Sequence, residues 1–195
     1  MKKQSLYLLL PLFLFASCGK DDGPDNPWGL PDATKDGNNT FGCLINGELW
    51  VAEANGLGLQ DIQSSYDEIG TGAADNFYFY ITARYFPEGN FPPLDSALSD
   101  IFSMNFRPIY SEGELDFSQL NRKDATFSTS LLGVTGTSKT YELDTLNNNN
   151  VQITNLDTVK NIISAEFELR LLRINNIPDT LKITEGRFDV TYQPD

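Results

Sequence analysis

Residues 163–171 place an apolar side chain at every second position. Ile163, Ala165, Phe167, Leu169 and Leu171 alternate with Ser164, Glu166, Glu168 and Arg170. A helix would scatter these five apolar residues around its circumference, whereas a strand sets all of them on one face. A run of this kind requires a sheet with one buried and one polar face. It commits the chain to β-structure before any other feature is considered.

The rest of the chain repeats the theme in shorter pieces. Residues 40–45 and 48–52 flank Asn46-Gly47, the dipeptide best able to take two positive φ values, and so predict a two-residue β-hairpin. Residues 76–86 (NFYFYITARYF) are aromatic and β-branched, with Phe77, Phe79, Ile81, Ala83 and Tyr85 forming the cleaner inward face. Residues 101–106 put Phe102, Met104 and Phe106 on one side, and Pro108 closes that strand. Further strands are expected over 125–132, 139–143 and 151–156, with the asparagine run 147–150 as a turn. The closing run, 180–192, breaks at Glu185-Gly186, where a bulge is expected, and resumes with Phe188, Val190 and Tyr192. Residues 94–102 offer one or two helical turns over a sheet end, and no convincing amphipathic helix follows the N-terminal segment. The pattern predicts a single antiparallel β-sandwich of about 8–10 strands over residues 38–195, with a β-barrel as the alternative.

The N-terminus has a different character. Lys2 and Lys3 precede an apolar run over residues 6–15 that ends in Ala16-Ser17. Basic start, short apolar core and small residues in that order predict a signal peptide over 1–17. The run is too short for the roughly 20 apolar residues of a spanning helix. Phe15-Ala16-Ser17-Cys18 resembles the lipobox of bacterial lipoproteins, and that resemblance implies cleavage before Cys18 and lipid attachment to its thiol and amine. Several acyl chains on one residue hold stably where a single chain is marginal. Lys20-Asp21-Asp22 looks like the Lys-acid-acid export signal of Bacteroidota lipoproteins, which implies the outer face of the outer membrane. Residues 18–37 are rich in Gly, Pro and Asp and read as a flexible tether, with Trp28 and Leu30 as the residues able to dock.

Removal of residues 1–17 leaves 178 residues, enough for one domain with a substantial core, and takes the formal charge from −13 to −15. An acidic body repels phosphate backbones, so nucleic acid is disfavoured as a partner. The chain has no histidine. That excludes Ser-His-Asp and Cys-His catalysis and His-ligated zinc or haem. With Cys18 lipidated, Cys43 has no cysteine partner, and the apolar stretch 41–45 suits it to the core.

Three groups remain as candidate chemistry. Glu166 and Glu168 share one strand face, about 6.5–7 Å apart by strand rise, a spacing compatible with paired-carboxylate work and equally with a solvated face. Asp32, Asp36 and Asn38 beside Gly37, like Asp21, Asp22 and Asp25, faintly resemble an oxygen-rich calcium loop without its ligand spacing, and turn chemistry explains them as well. Tyr78, Tyr80 and Phe86, on the second face of the 76–86 strand, are a candidate stacking platform for a sugar or peptide, with 86–93 as a loop beside it. No catalytic, metal or cofactor residue is assigned.

Residues 30–50, from Leu30-Pro31 through Ala33-Thr34 and Gly37-Asn38-Asn39-Thr40-Phe41-Gly42-Cys43 to Asn46-Gly47 and Trp50, resemble the start of a family of uncharacterised Bacteroidota lipoproteins. Residues 181–190 (LKITEGRFDV) resemble that family's final strand. The resemblance implies fold and location and adds no site residue. The function expected is a lipid-anchored outer-membrane or cell-surface lipoprotein. Its membrane partner is reached through the lipid, and the domain is a non-catalytic module for a glycan, peptide or protein ligand. A carboxylate-dependent hydrolase and a structural component of an outer-membrane complex are the alternatives.

Overall fold

The computed structural model describes residues 26–54, 61–68, 77–86, 98–131, 137–174 and 179–194. Among these there is no helix, and so none long and apolar enough to cross a membrane. The strands are β1 (Thr40–Ile45), β2 (Glu48–Val51), β3 (Glu53–Ala54), β4 (Ile62–Glu68), β5 (Phe77–Phe86), β6 (Leu98–Arg107), β7 (Gly113–Glu114), β8 (Arg122–Leu131), β9 (Lys139–Leu143), β10 (Asn150–Asp157), β11 (Ile162–Arg173) and β12 (Thr180–Thr191).

They form one sheet in the order β2-β1-β12-β11-β9-β8-β6-β5-β3, with β4 on β5 and β10 between β11 and β7. Every pairing is antiparallel except the short β3–β5 contact. The fold is all-β, as expected. The sheet curls strongly into a half-barrel, compatible with either the sandwich or the barrel description. Its curl carries β4 to the end of β12, where the Gln193 amide donates to the Ser64 carbonyl at 3.3 Å and Ser65 bridges Gln193.

Local sequence explains the elements. Asn46 (φ 54°) and Gly47 (φ 87°) both adopt positive φ, as the hairpin from β1 to β2 requires. The bulge expected at Glu185-Gly186 is present: Glu185 has φ 52°, and the β11–β12 register shifts between Phe167 and Leu169. The helical turns expected over 94–102 are not found in its described part, because residues 98–102 belong to β6. Leu98, Ile101 and Phe102 have helical spacing, but pairing with β8 (Leu98 to Leu131, Phe102 to Phe127) takes precedence over local pattern.

The inward faces meet in an aromatic core. The Phe41 ring packs on Trp50, Phe102 and Phe167 at centroid distances of 5.8, 5.4 and 5.4 Å. Phe79, Ile81 and Ala83 of β5, Phe102, Met104 and Phe106 of β6, and all five alternating residues of β11 are buried. Each such aromatic pair adds about 0.5–1.5 kcal/mol beyond the area it buries.

Candidate functional site

The site begins with a carboxylate where the strand pattern calls for solvent. Asp189 lies between inward-facing Phe188 and Val190 and therefore points to the outer face of β12, yet it is only 1% exposed. The segment preceding β1 covers it. Asp189 accepts hydrogen bonds from the Thr34 hydroxyl (2.6 Å), the Ser164 hydroxyl (2.7 Å), and the backbone N–H groups of Asp36 (3.0 Å), Gly37 (2.9 Å) and Asn38 (3.2 Å). Burial pushes its pKa up, but the bonds from Thr34, Ser164, Asn38 and Gly37 outweigh that, and the carboxyl lies below its ordinary range.

This geometry explains the Asp- and Asn-rich loop noted in the sequence. Its N–H groups point inward at an anion, the polarity opposite to that of a calcium loop, which presents oxygens. The other acidic group, Asp21, Asp22 and Asp25, lies outside the described residues. Among the described residues no group of three or more acidic or sulfur side chains is placed to hold a metal ion.

The same segment runs on as an arm along the sheet. Leu30 is buried, and Pro31 lies over Gly42, where a Cβ would sit 2.6 Å from the proline Cδ. The Asn26 side chain donates to the Leu30 carbonyl at 2.6 Å, closing a turn that leaves Trp28 51% exposed. Residues 26–37, expected as tether, are thus docked in the structure, with Leu30 rather than Trp28 as the plug. Loss of conformational freedom in the arm is offset by the Asp189 bonds and by Leu30 burial.

Beyond the arm the outer face of the sheet stays open. A cleft of about 740 Å³ lies between Trp28 and the surface of β10, β11 and β12. Register puts Val51, Gly42, Arg187, Glu166, Gln152 and Glu114 in one row across six strands, and Asn150 opposite Glu168 in the next. Direct antiparallel neighbours have Cβ atoms about 4.5–5.5 Å apart, so Gln152, Glu166 and Arg187 form a continuous polar floor. Pro31 covers the Gly42 position of that row, and Trp28 lines the same cleft as Gln152, Glu166 and Arg187. The Glu166 and Glu168 carboxylates have no hydrogen-bond or ion-pair partner among the described residues. Arg187 reaches the Glu185 carboxylate at 3.7 Å and is mostly covered.

The paired carboxylates therefore sit in the largest of the described clefts, but side by side on one wall. Acid and base in a glycosidase flank the scissile bond from opposite sides. Trp28, Gln152, Asn150 and Arg187 were not singled out as a site by sequence, because strand register brings the last three together and the arm held by Asp189 brings Trp28 to them.

The three aromatic candidates do not converge. Tyr78 and Phe86 are eight residues apart on one extended strand, about 26 Å by strand rise, and both are half-buried. Among the described clefts, one of about 630 Å³ is bordered by Tyr80 with Asn105 and Lys123, and the Tyr80 hydroxyl accepts a hydrogen bond from Thr82. Of the loop beside them, 87–93 lies outside the described residues. Cys43 is fully buried, and burial pushes its thiol above the ordinary range. Cys18 and Lys20-Asp21-Asp22 lie outside the described residues.

No family model, curated protein or solved structure matches the chain.

Proposed function

We propose that the chain is a lipid-anchored lipoprotein of the Bacteroidota type, held at the outer membrane through Cys18 and displayed on the cell surface. Its β-domain binds a ligand without catalysis. The observation that carries the binding half is the Trp28 cleft: a half-exposed indole facing a polar floor whose Glu166 and Glu168 side chains are uncommitted among the described residues. One-sided placement of those carboxylates favours binding over hydrolysis. The anchor half rests on the basic, apolar and small-residue order of residues 1–18.

The two halves are connected. Asn26 lies eight chain steps beyond Cys18, which at full extension span about 26–29 Å. A lipid on Cys18 would hold the cleft within that reach of the bilayer.

Replacing Cys18 by Ala should release the protein from the membrane fraction, and unchanged retention would refute the anchor. Protease treatment of intact cells should digest the wild-type domain. Full protection would refute export by Lys20-Asp21-Asp22 and place the domain on the periplasmic side.

A further inference from the structure

Resting on the reading of the Trp28 cleft as a binding site, we infer that its ligand is an uncharged sugar unit, with one ring stacked on Trp28 and its hydroxyls paired to Gln152, Glu166, Glu168 and Asn150. A sugar hydroxyl both donates and accepts, so its site needs donors and acceptors side by side. The floor supplies them: carboxylates on Glu166 and Glu168, a guanidinium on Arg187 that also meets Glu185, and amides on Asn150 and Gln152. One N–H of each amide is donated, to Glu114 (3.0 Å) and to the Ile153 carbonyl (3.4 Å) respectively, which leaves the amide oxygens and the second N–H for a hydroxyl. The indole adds a flat apolar face for the C–H side of a pyranose, an amphipathic division that matches such a ring.

Other ligand classes fit less well. A peptide adding as a strand needs an unpaired sheet edge, but the floor is a sheet face whose β11 main chain is consumed on both sides by β10 and β12. An anion meets Glu166, Glu168 and Glu185 on a chain of net charge −13. A cationic ligand would find the carboxylates but gives the indole's flat apolar face and the Asn150 and Gln152 amides no counterpart, and spermine serves as the probe for that class.

The arm gives the site a further property. Trp28 is positioned by residues 30–38, which Asp189 and Gly42 fix to the sheet, so the stacking wall belongs to the segment that leads to Cys18. Sugars borne on lipids of the same membrane and free oligosaccharides present the same chemistry to it.

The test uses the full chain purified in detergent. Trp28 and Trp50 are its two tryptophans, and Trp50 is buried, so a ligand-dependent fluorescence change in the wild type reports Trp28. Titration calorimetry reads binding in the wild type and in every variant, Trp28→Ala included. Neutral oligosaccharides (gluco-, manno- and N-acetylglucosamine oligomers), neutral glycolipid vesicles, polygalacturonate and spermine serve as probes. Saturable binding of a neutral sugar, weakened about tenfold by Trp28→Ala or Glu166→Gln with unchanged melting, supports the inference. Binding of the vesicles alone assigns a membrane glycan, and equal binding of free oligomers a soluble one. Spermine or polygalacturonate binding that depends on Trp28, with no neutral sugar bound, overturns the sugar assignment and leaves the binding reading standing. Sugar binding unaffected by either substitution overturns the location. Appearance of new reducing ends overturns the non-catalytic reading instead. No binding of any probe overturns the inference.

Discussion

The Thr34 hydroxyl and the Asp189 carboxylate meet at 2.6 Å across 155 residues of sequence. Thr34 belongs to the arm before the first strand, and Asp189 to the outer face of the last. Through this bond and the three neighbouring N–H donors, the arm becomes part of the domain and one wall of its largest described cleft.

Asp189→Asn removes the charge that these donors converge on while keeping the shape. Hydrogen bonds to a charged group contribute about 1.5–3 kcal/mol each, so a loss of about 2–3 kcal/mol is expected once the amide retains some of them. The Asp189 pKa is depressed in the folded state, so its contribution is fully present above about pH 4 and is lost as pH falls through the lower folded value. Urea midpoints of wild type and Asp189→Asn should differ at pH 6 and converge as pH is lowered below 4. A constant gap would show that the carboxylate charge is not what holds the arm.

Gly42→Ala should act at the arm rather than in the core. Its Cβ would meet the Pro31 ring, and overpacking of this kind costs about 1–3 kcal/mol. Limited proteolysis within residues 26–38 should quicken, and Pro31→Ala in the same chain should restore protection. Without that rescue the clash lies elsewhere.

Cys43 should be inert in the native protein. It is fully buried, and desolvation raises its thiol pKa, which suppresses the reactive thiolate. A maleimide should label no thiol before unfolding. In denaturant the mature protein should show one reactive thiol, because a lipidated Cys18 has none, and two would contradict lipidation.

Phe41→Ala should cost about 3–5 kcal/mol in a thermal or urea melt, since its ring joins Trp50, Phe102, Phe167 and Phe188. A loss under 1 kcal/mol would mean that the core closes over the gap.

Strands with a clear period of two were legible in the sequence, because that period follows from backbone geometry alone. The 139–143 strand, the inward face of β5 and the Glu185-Gly186 bulge are of this kind. β4 (Ile62–Glu68) gave little signal, because its residues are mostly polar and its strand character comes from pairing with β5. The 98–102 stretch carried a helical spacing that partner strands overrode. The cleft was least legible. Glu166 and Glu168 were visible as a pair, but their neighbours Arg187 and Gln152 are set by register, and Trp28 by a carboxylate at the far end of the chain. An aspartate between two core residues of a final strand, Phe188 and Val190, was the available hint that something covers it.

Hydrogen exchange of the Asp36, Gly37 and Asn38 amides in the full-length protein reads most directly whether residues 26–38 form a fixed wall of the cleft or a slack tether. All three donate to Asp189. Protection comparable to that of β11 and β12, lost in Asp189→Asn, is the result expected of a wall. Exchange at the rate of an open chain in the wild-type protein would contradict it.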